Sequence, residues 1–198
     1  PLAIELAAAR VRLLSPDALL QRLDHSLDVL TAGPRDRPDR QRTLRATIGW
    51  SHSLLSASEE RLFRRMGVFQ GGCSLEAIEA ACSEDARSVL DDLGSLVDVG
   101  LIQIAGPGDR FQMLQTIREY ALEELDAAAE AELVGDRHAA YFADVAADIG
   151  SGIEGTDQVG SIERGVLEDA DLRAGLDFLL SRTRDGDAES AELGMQMC

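Results

Sequence analysis

The chain has 198 residues, 45% hydrophobic and 28% charged, with 36 acidic residues against 19 basic ones and a net charge of −17. That length and apolar share suffice for one large domain or two small ones, while the negative balance argues against wrapping a nucleic acid or lying on an anionic membrane. All 19 basic residues are Arg and neither Lys nor Asn occurs, which excludes a Walker A loop and Schiff-base chemistry.

The charge falls along the chain. Residues 1–56 carry 8 Arg and 6 acids, residues 57–125 carry 6 and 13, and residues 126–198 carry 5 and 17. Three units with different surfaces are expected: 1–55, 56–128 and 129–198. In the first, Leu2, Leu6, Ala9 and Leu13 recur at helical spacing. Ser15-Pro16-Asp17 then opens a second helix carrying Leu19, Leu20, Leu23, Leu27 and Leu30. Gly33 to Arg40 breaks it. A third helix starts near Thr43 with Leu44, Ile48, Ser51 and Leu55, and Trp50 at the bundle edge.

The second unit begins with Ser56-Ala57-Ser58-Glu59, a capping box. Leu62, Phe63, Met66 and Phe69 form the apolar face behind it, and Gly71-Gly72 ends the helix. Ser74 caps a short helix through Cys82. From Asp85, the residues Val89, Leu90, Leu93, Leu96 and Val97 make a third amphipathic helix, closed at Gly100. The period then changes to two: Ile102 and Ile104, a turn at Gly106-Pro107-Gly108-Asp109, then Phe111 and Met113. A helix resumes near Gln115 with Ile117, Tyr120, Ala121 and Leu125. Three helices followed by one β-hairpin is a winged-helix pattern.

The third unit is helical. Tyr141, Phe142, Val145 and Ile149 share a face, and a Gly-rich stretch from Gly150 to Gly160 is expected to interrupt it. Leu167, Leu172, Leu176, Leu179 and Leu180 form the next face, Arg182 to Asp187 reads as a polar loop, and a last helix follows. Such helix pairs suggest the start of a helical solenoid. The fold expected is mainly α: a small helical bundle, a winged helix and the start of a repeat.

Chemistry-bearing motifs are few. Gly150-Ser151-Gly152-Ile153-Glu154-Gly155 fits GxGxxG, but a helix rather than a strand precedes it, so an interhelical loop is the better reading. In the third winged-helix helix, residues 85–100 hold four Asp against Arg87 alone, a face that should repel duplex DNA. Arg35, Arg37, Arg40, Arg42 and Arg45 form the one basic cluster, interleaved with Asp36 and Asp39 and read as a solvated linker. His25, His52 and His138 stand too far apart in sequence for a metal site, and no catalytic constellation emerges. Cys73, Cys82 and Cys198, without a CxxC, read as reduced thiols. No apolar run reaches 18 residues and no signal peptide opens the chain, so a cytoplasmic, non-membrane protein is expected. Both termini read as cuts inside a longer protein.

Several blocks resemble the region after the nucleotide domain of STAND-class, NB-ARC-like ATPases, specifically actinobacterial transcriptional regulators of the LuxR and AfsR type. They are Pro1–Arg10, Arg40–Ala46 with Trp50-Ser51, Leu62–Arg65 with Val68-Phe69, Leu93–Leu101, Phe111–Ala121, His138–Phe142 and Asp171–Leu176. The resemblance implies a regulatory, non-enzymatic relay, with ATP or ADP bound by a P-loop domain of the parent, which would be an ATPase, outside this chain. The bundle and winged helix would close on that domain, a TPR-like array would receive a signal or protein partner, and a DNA-binding output would lie elsewhere. Pro1 matches the nucleotide-side Pro of the family's Gly-x-Pro motif. The positions matching its Met-His-Asp motif are Met113, Leu114 and Gln115, and Leu114 cannot donate a hydrogen bond to a phosphate. The alternative is a winged helix that contacts DNA directly.

Overall fold

The computed structural model describes residues 44–83, 86–105, 110–184 and 187–197. Pro1, the first two anticipated helices, Arg35 to Arg42 and the Gly106–Asp109 turn lie outside the described residues.

Helix α1 (Leu44–His52) turns Ile48 inward and leaves Trp50 at the edge, 47% exposed. Helix α2 (Ala57–Arg65) begins at the expected capping box. The Ser56 hydroxyl accepts from the Glu59 N–H at 3.4 Å, and the Glu59 carboxylate accepts from the Ser56 N–H at 2.7 Å. These bonds satisfy backbone donors that a helix start leaves without partners. A single 3-10 turn, Met66–Val68, extends the helix. Ser74 caps α3 (Leu75–Cys82) by accepting from the Ala77 N–H at 3.2 Å. Helix α4 (Ala86–Asp98) is followed by Gly100 at φ +76°, a left-handed position suited to glycine. Strands β1 (Gln103–Ala105) and β2 (Arg110–Gln112) pair antiparallel, Ile104 opposite Phe111.

One pairing was not legible beforehand. The Cys73 N–H donates to the Phe111 carbonyl at 2.8 Å and the Phe111 N–H returns to Cys73 at 2.9 Å. Cys73 therefore flanks β2 on the side away from β1, and the order helix, bridge, helix, helix, hairpin makes a winged-helix-like bundle. It also explains a correction. Phe111 is buried under its two neighbours, whereas Ile104, on the edge strand, stays 60% exposed. Leu90, expected on the apolar face of α4, is equally exposed, because the inward stripe is Val89, Leu93 and Leu96 at spacings of four and three.

Helix α5 (Gln115–Ala127) buries Ile117, Ala121 and Leu125. After a turn with Ala129 at φ 55°, α6 (Ala131–Glu154) and α7 (Gln158–Arg184) run against each other for 24 and 27 residues. They are about 36 and 40 Å long at the α-helical rise. Helix α8 (Ala188–Gln196) packs on both. The structure corrects three readings here. Gly150 and Gly152 lie within α6 rather than in a loop, Arg182 to Arg184 belong to α7, and Leu167 and Leu180 are about half exposed. Each helical glycine costs about 1 kcal/mol, and the packing of α6 on α7 outweighs it. The inward stripe of α7 is Asp171, Gly175 and Leu179. Phe142 and Val145 of α6 join Phe69, Ala77 and Ile78 in one continuous core, so the helix pair and the winged helix share their interior.

The α6–α7 crossing depends on a missing side chain. A Cβ on Gly135 would stand 2.5 Å from the Phe178 ring. Gly135→Ala should therefore destabilise the protein by about 1–2 kcal/mol, overpacking exceeding the gain in helix propensity. In a Phe178→Ala background the same change should become stabilising, which urea unfolding of the four proteins would show.

Candidate functional site

One set of polar side chains gathers on the short segment 69–73, which leads from the 3-10 turn to the Cys73 bridge. Its Phe69 carbonyl accepts from Nε of Arg118 on α5 at 2.7 Å. The N–H groups of Gln70 and Gly71 donate to Oδ1 and Oδ2 of Asp171 on α7 at 2.7 and 3.2 Å. The Gly72 carbonyl accepts from Arg110 of β2. Arg110 in turn binds Glu168 of α7 through both terminal guanidinium nitrogens, at 2.6 and 2.8 Å. His138 of α6 completes the set, its Nε2 lying 3.2 Å from Asp171 Oδ1. A carboxylate acceptor there calls for the proton on Nε2. The imidazole is held between the rings of Phe69 and Phe142, at 5.3 and 4.7 Å.

Asp171 is 1% exposed, and Arg110, Arg118 and His138 are all buried. Charges are retained inside only where partners replace water, and here each has them. The hydrogen bonds to Glu168 push the Arg110 guanidinium up, while burial pulls that of Arg118 down. The arrangement fastens α7 to the winged helix through backbone as well as side chains. It offers no nucleophile beside a base and no open metal position; among the described residues no group of three metal-binding side chains occurs.

A second tie joins α2 to the turn before α6. Arg64 donates to Glu130 at 3.1 and 2.9 Å, Arg65 donates to it at 2.9 Å, and Arg65 also binds the Cys82 carbonyl at 2.9 Å. The Arg64 hydrogen bonds, helped by Arg65, hold the Glu130 carboxyl down at about 2 against an ordinary 4.5. The folded protein thus binds this proton less readily than the unfolded chain, and the tie contributes fully above pH 4.5. Its contribution should fade as the pH falls towards 2. Glu130→Gln should be less stable than the parent at pH 7, and the gap should close across that window in acid titrations of unfolding.

The remaining anticipated residues fall elsewhere. On α4, Asp91 and Asp98 are exposed and Asp92 accepts from the Ser58 hydroxyl at 3.0 Å. Leu114 sits at the start of α5, 48% exposed and without a side-chain cap, between a half-buried Met113 and an exposed Gln115. Arg45 pairs with Glu123. Cys73 and Cys82 are buried reduced thiols, burial pushing Cys73 well up and Cys82 up to about 12. Of the GxGxxG glycines, Gly152 serves packing, since a Cβ there would fall 2.0 Å from the Ser161 hydroxyl, whereas one on Gly150 would meet nothing within 4 Å.

Sequence reading did not single out Asp171, Arg110, Arg118, Glu168 or His138 as one site. A signal did exist for two of them. His138 leads the stripe with Phe142 and Val145, and Asp171 the stripe with Gly175 and Leu179. A polar residue on an inward stripe needs a buried partner. Which partner it takes is a tertiary fact.

The chain is similar to longer proteins. It is 39% identical over 202 residues to a protein of Mycobacterium tuberculosis H37Rv carrying the provisional name of an HTH-type transcriptional regulator, and equally to one of Mycobacterium bovis. All of this chain is matched, and it spans 22% of those relatives. The regulatory protein AfsR of Streptomyces coelicolor is 33% identical over 128 residues, 61% of this chain and 12% of AfsR. No family model and no solved structure matches. No helix among the described residues is long and apolar enough to cross a membrane.

Proposed function

We propose that this chain is the relay segment of a transcriptional regulator: a winged helix and the start of a TPR-like array that follow a STAND-class, NB-ARC-like nucleotide domain. The observation carrying this reading is the direction of Arg110. It is the base of the wing, and it points inward onto Glu168 and the Gly72 carbonyl. Duplex binding needs such cations outward on the phosphates. Turned inward, Arg110 locks the winged helix to α7, so that a signal reaching the helix pair moves both as one body. ATP or ADP would bind the preceding domain, with Pro1 on its adenine side. The chain itself acts by packing rather than catalysis and works in the cytoplasm.

Calorimetry tests the proposal. A longer protein that includes the nucleotide domain should bind ADP and lose affinity on Pro1→Ala, while the present chain should not bind. Nucleotide binding by the present chain alone would sink the reading. The competing one, direct DNA contact, draws on the HTH-type names of the relatives and is supported instead if micromolar chain retains duplex DNA on a filter at low salt.

A further inference from the structure

The outward side of α7 carries an apolar stripe that the described residues leave largely uncovered. Opposite the inward Asp171, Gly175 and Leu179, the positions Ile162, Val166, Asp169, Arg173, Leu176 and Leu180 follow one another at steps of four, three, four, three and four. That spacing keeps a row of side chains turned towards one partner helix. Val166 is 76% exposed, Ile162 55% and Leu180 46%, while Leu176 is half-buried. Apolar residues scattered singly on a surface are ordinary, but a contiguous row marks a contact. A groove of about 610 Å³ runs along its flank between α6 and α7, where Ala147, Ile153 and Leu172 meet Asp169, Arg173 and Leu176. In the middle of the stripe, Arg173 Nε donates to both carboxylate oxygens of Asp169 at 2.9 Å, and both side chains are exposed.

The order of these six residues selects the occupant. From either end it runs apolar, apolar, charged, charged, apolar, apolar, and the two charges are opposite. Laid antiparallel on a second copy, Ile162 meets Leu180, Val166 meets Leu176 and Asp169 meets Arg173, because each pair is centred on position 171. Every contact then occurs twice, and each is between like chemistry or opposite charge. Laid parallel, Asp169 would face Asp169 and Arg173 would face Arg173, a repulsion that disfavours that pairing.

We propose that two copies of this chain associate through α7, antiparallel about a two-fold axis beside position 171, with the two Asp169–Arg173 pairs joined into one network at the centre. Such a contact uses the same patch on both copies and closes on itself. It is about 27 Å long at the α-helical rise. The charge of −17 on each copy opposes it, so the association is weak, at tens of micromolar. It is independent of the nucleotide reading above.

Sedimentation equilibrium of the whole chain tests it. The parent should pass from monomer to dimer between micromolar and submillimolar concentration. Ile162→Glu should weaken dimerisation by about tenfold or more, and so should Arg173→Asp or Asp169→Arg alone, since each then sets like charges together at the axis. An equimolar mixture of the last two variants should dimerise again, because every acid at the axis once more faces an Arg. That recovery also shows that neither variant has lost its fold. A parent that stays monomeric at submillimolar concentration overturns the proposal and leaves the stripe to a helix from outside this chain. A dimer indifferent to Ile162→Glu, or charge variants that fail to recombine on mixing, overturns it as well.

Discussion

Replacing Asp171 with Ala should destabilise the protein by about 3–5 kcal/mol, because two part-buried backbone donors and the buried His138 ring lose their acceptor at once. The Gln70 and Gly71 N–H groups and the His138 ring point at a carboxylate that is 1% exposed, and an alanine supplies nothing to replace it. Asp171→Asn should cost less, since its carbonyl oxygen still accepts while its amide faces one N–H unfavourably. Urea unfolding gives the magnitudes. Hydrogen exchange gives the location: in Asp171→Ala, protection should fall first at 69–73 and along α7. A loss of under about 1 kcal/mol would show that the clamp adds little to shared apolar packing.

Glu168→Ala should cost about 3 kcal/mol by a different route. Arg110 and Glu168 have side chains 8% and 12% exposed, and truncating the acid leaves a buried guanidinium with the Gly72 carbonyl as its remaining protein partner at that site. The charge, more than the lost contact, sets the cost. The double replacement Arg110→Met with Glu168→Leu should therefore recover most of the stability, since well-packed apolar pairs often match buried ion pairs. The parent, Arg110→Met, Glu168→Leu and the double replacement form a double-mutant cycle, and additive losses would contradict a coupled pair. The recovered variant is also useful for function: it keeps the helix pair attached while removing the charge that orients the wing.

These two results together bear on what the clamp is for. Apolar burial alone would hold α6 against the winged helix, because Phe142 and Val145 sit in the same core as Phe69 and Ile78. Burial is not directional, however. Hydrogen bonds between three side chains, Arg118, Asp171 and Arg110, and the consecutive backbone groups of 69–72, with Arg110 tied on to Glu168, fix the angle and register of α7 on the bundle. The relay role proposed above would need a defined angle, and the polar set supplies one.

The features legible in the residues are those decided within a few positions. The capping box at Ser56, the Ser74 cap, the glycine stop at Gly100 and the hairpin around β1 and β2 depend on neighbours two to four residues apart. Helical spacing likewise located Leu93, Leu96, Ile117, Ala121, Phe142 and Val145 in the interior. The misreadings arose where local preference meets a partner from elsewhere. Gly150 and Gly152 looked like a loop, yet α6 continues through them because α7 packs alongside, with Ser161 against Gly152. Leu90, Leu167 and Leu180 are apolar but sit off the inward stripe, a distinction of one helical step.

The clamp lay furthest from view. Gln70 and Gly71 meet a carboxylate about a hundred residues away, and Arg110 meets Glu168 across 58. Periodicity places a side chain on a face without naming what that face touches. Among the described residues, the sequence itself settled most helix positions, the hairpin and the sign of the charge, because propensity, capping and charge are local sums. Tertiary packing alone decided that Asp171, His138, Arg110 and Glu168 act together, because a buried charge is stable only where the rest of the chain brings its partner.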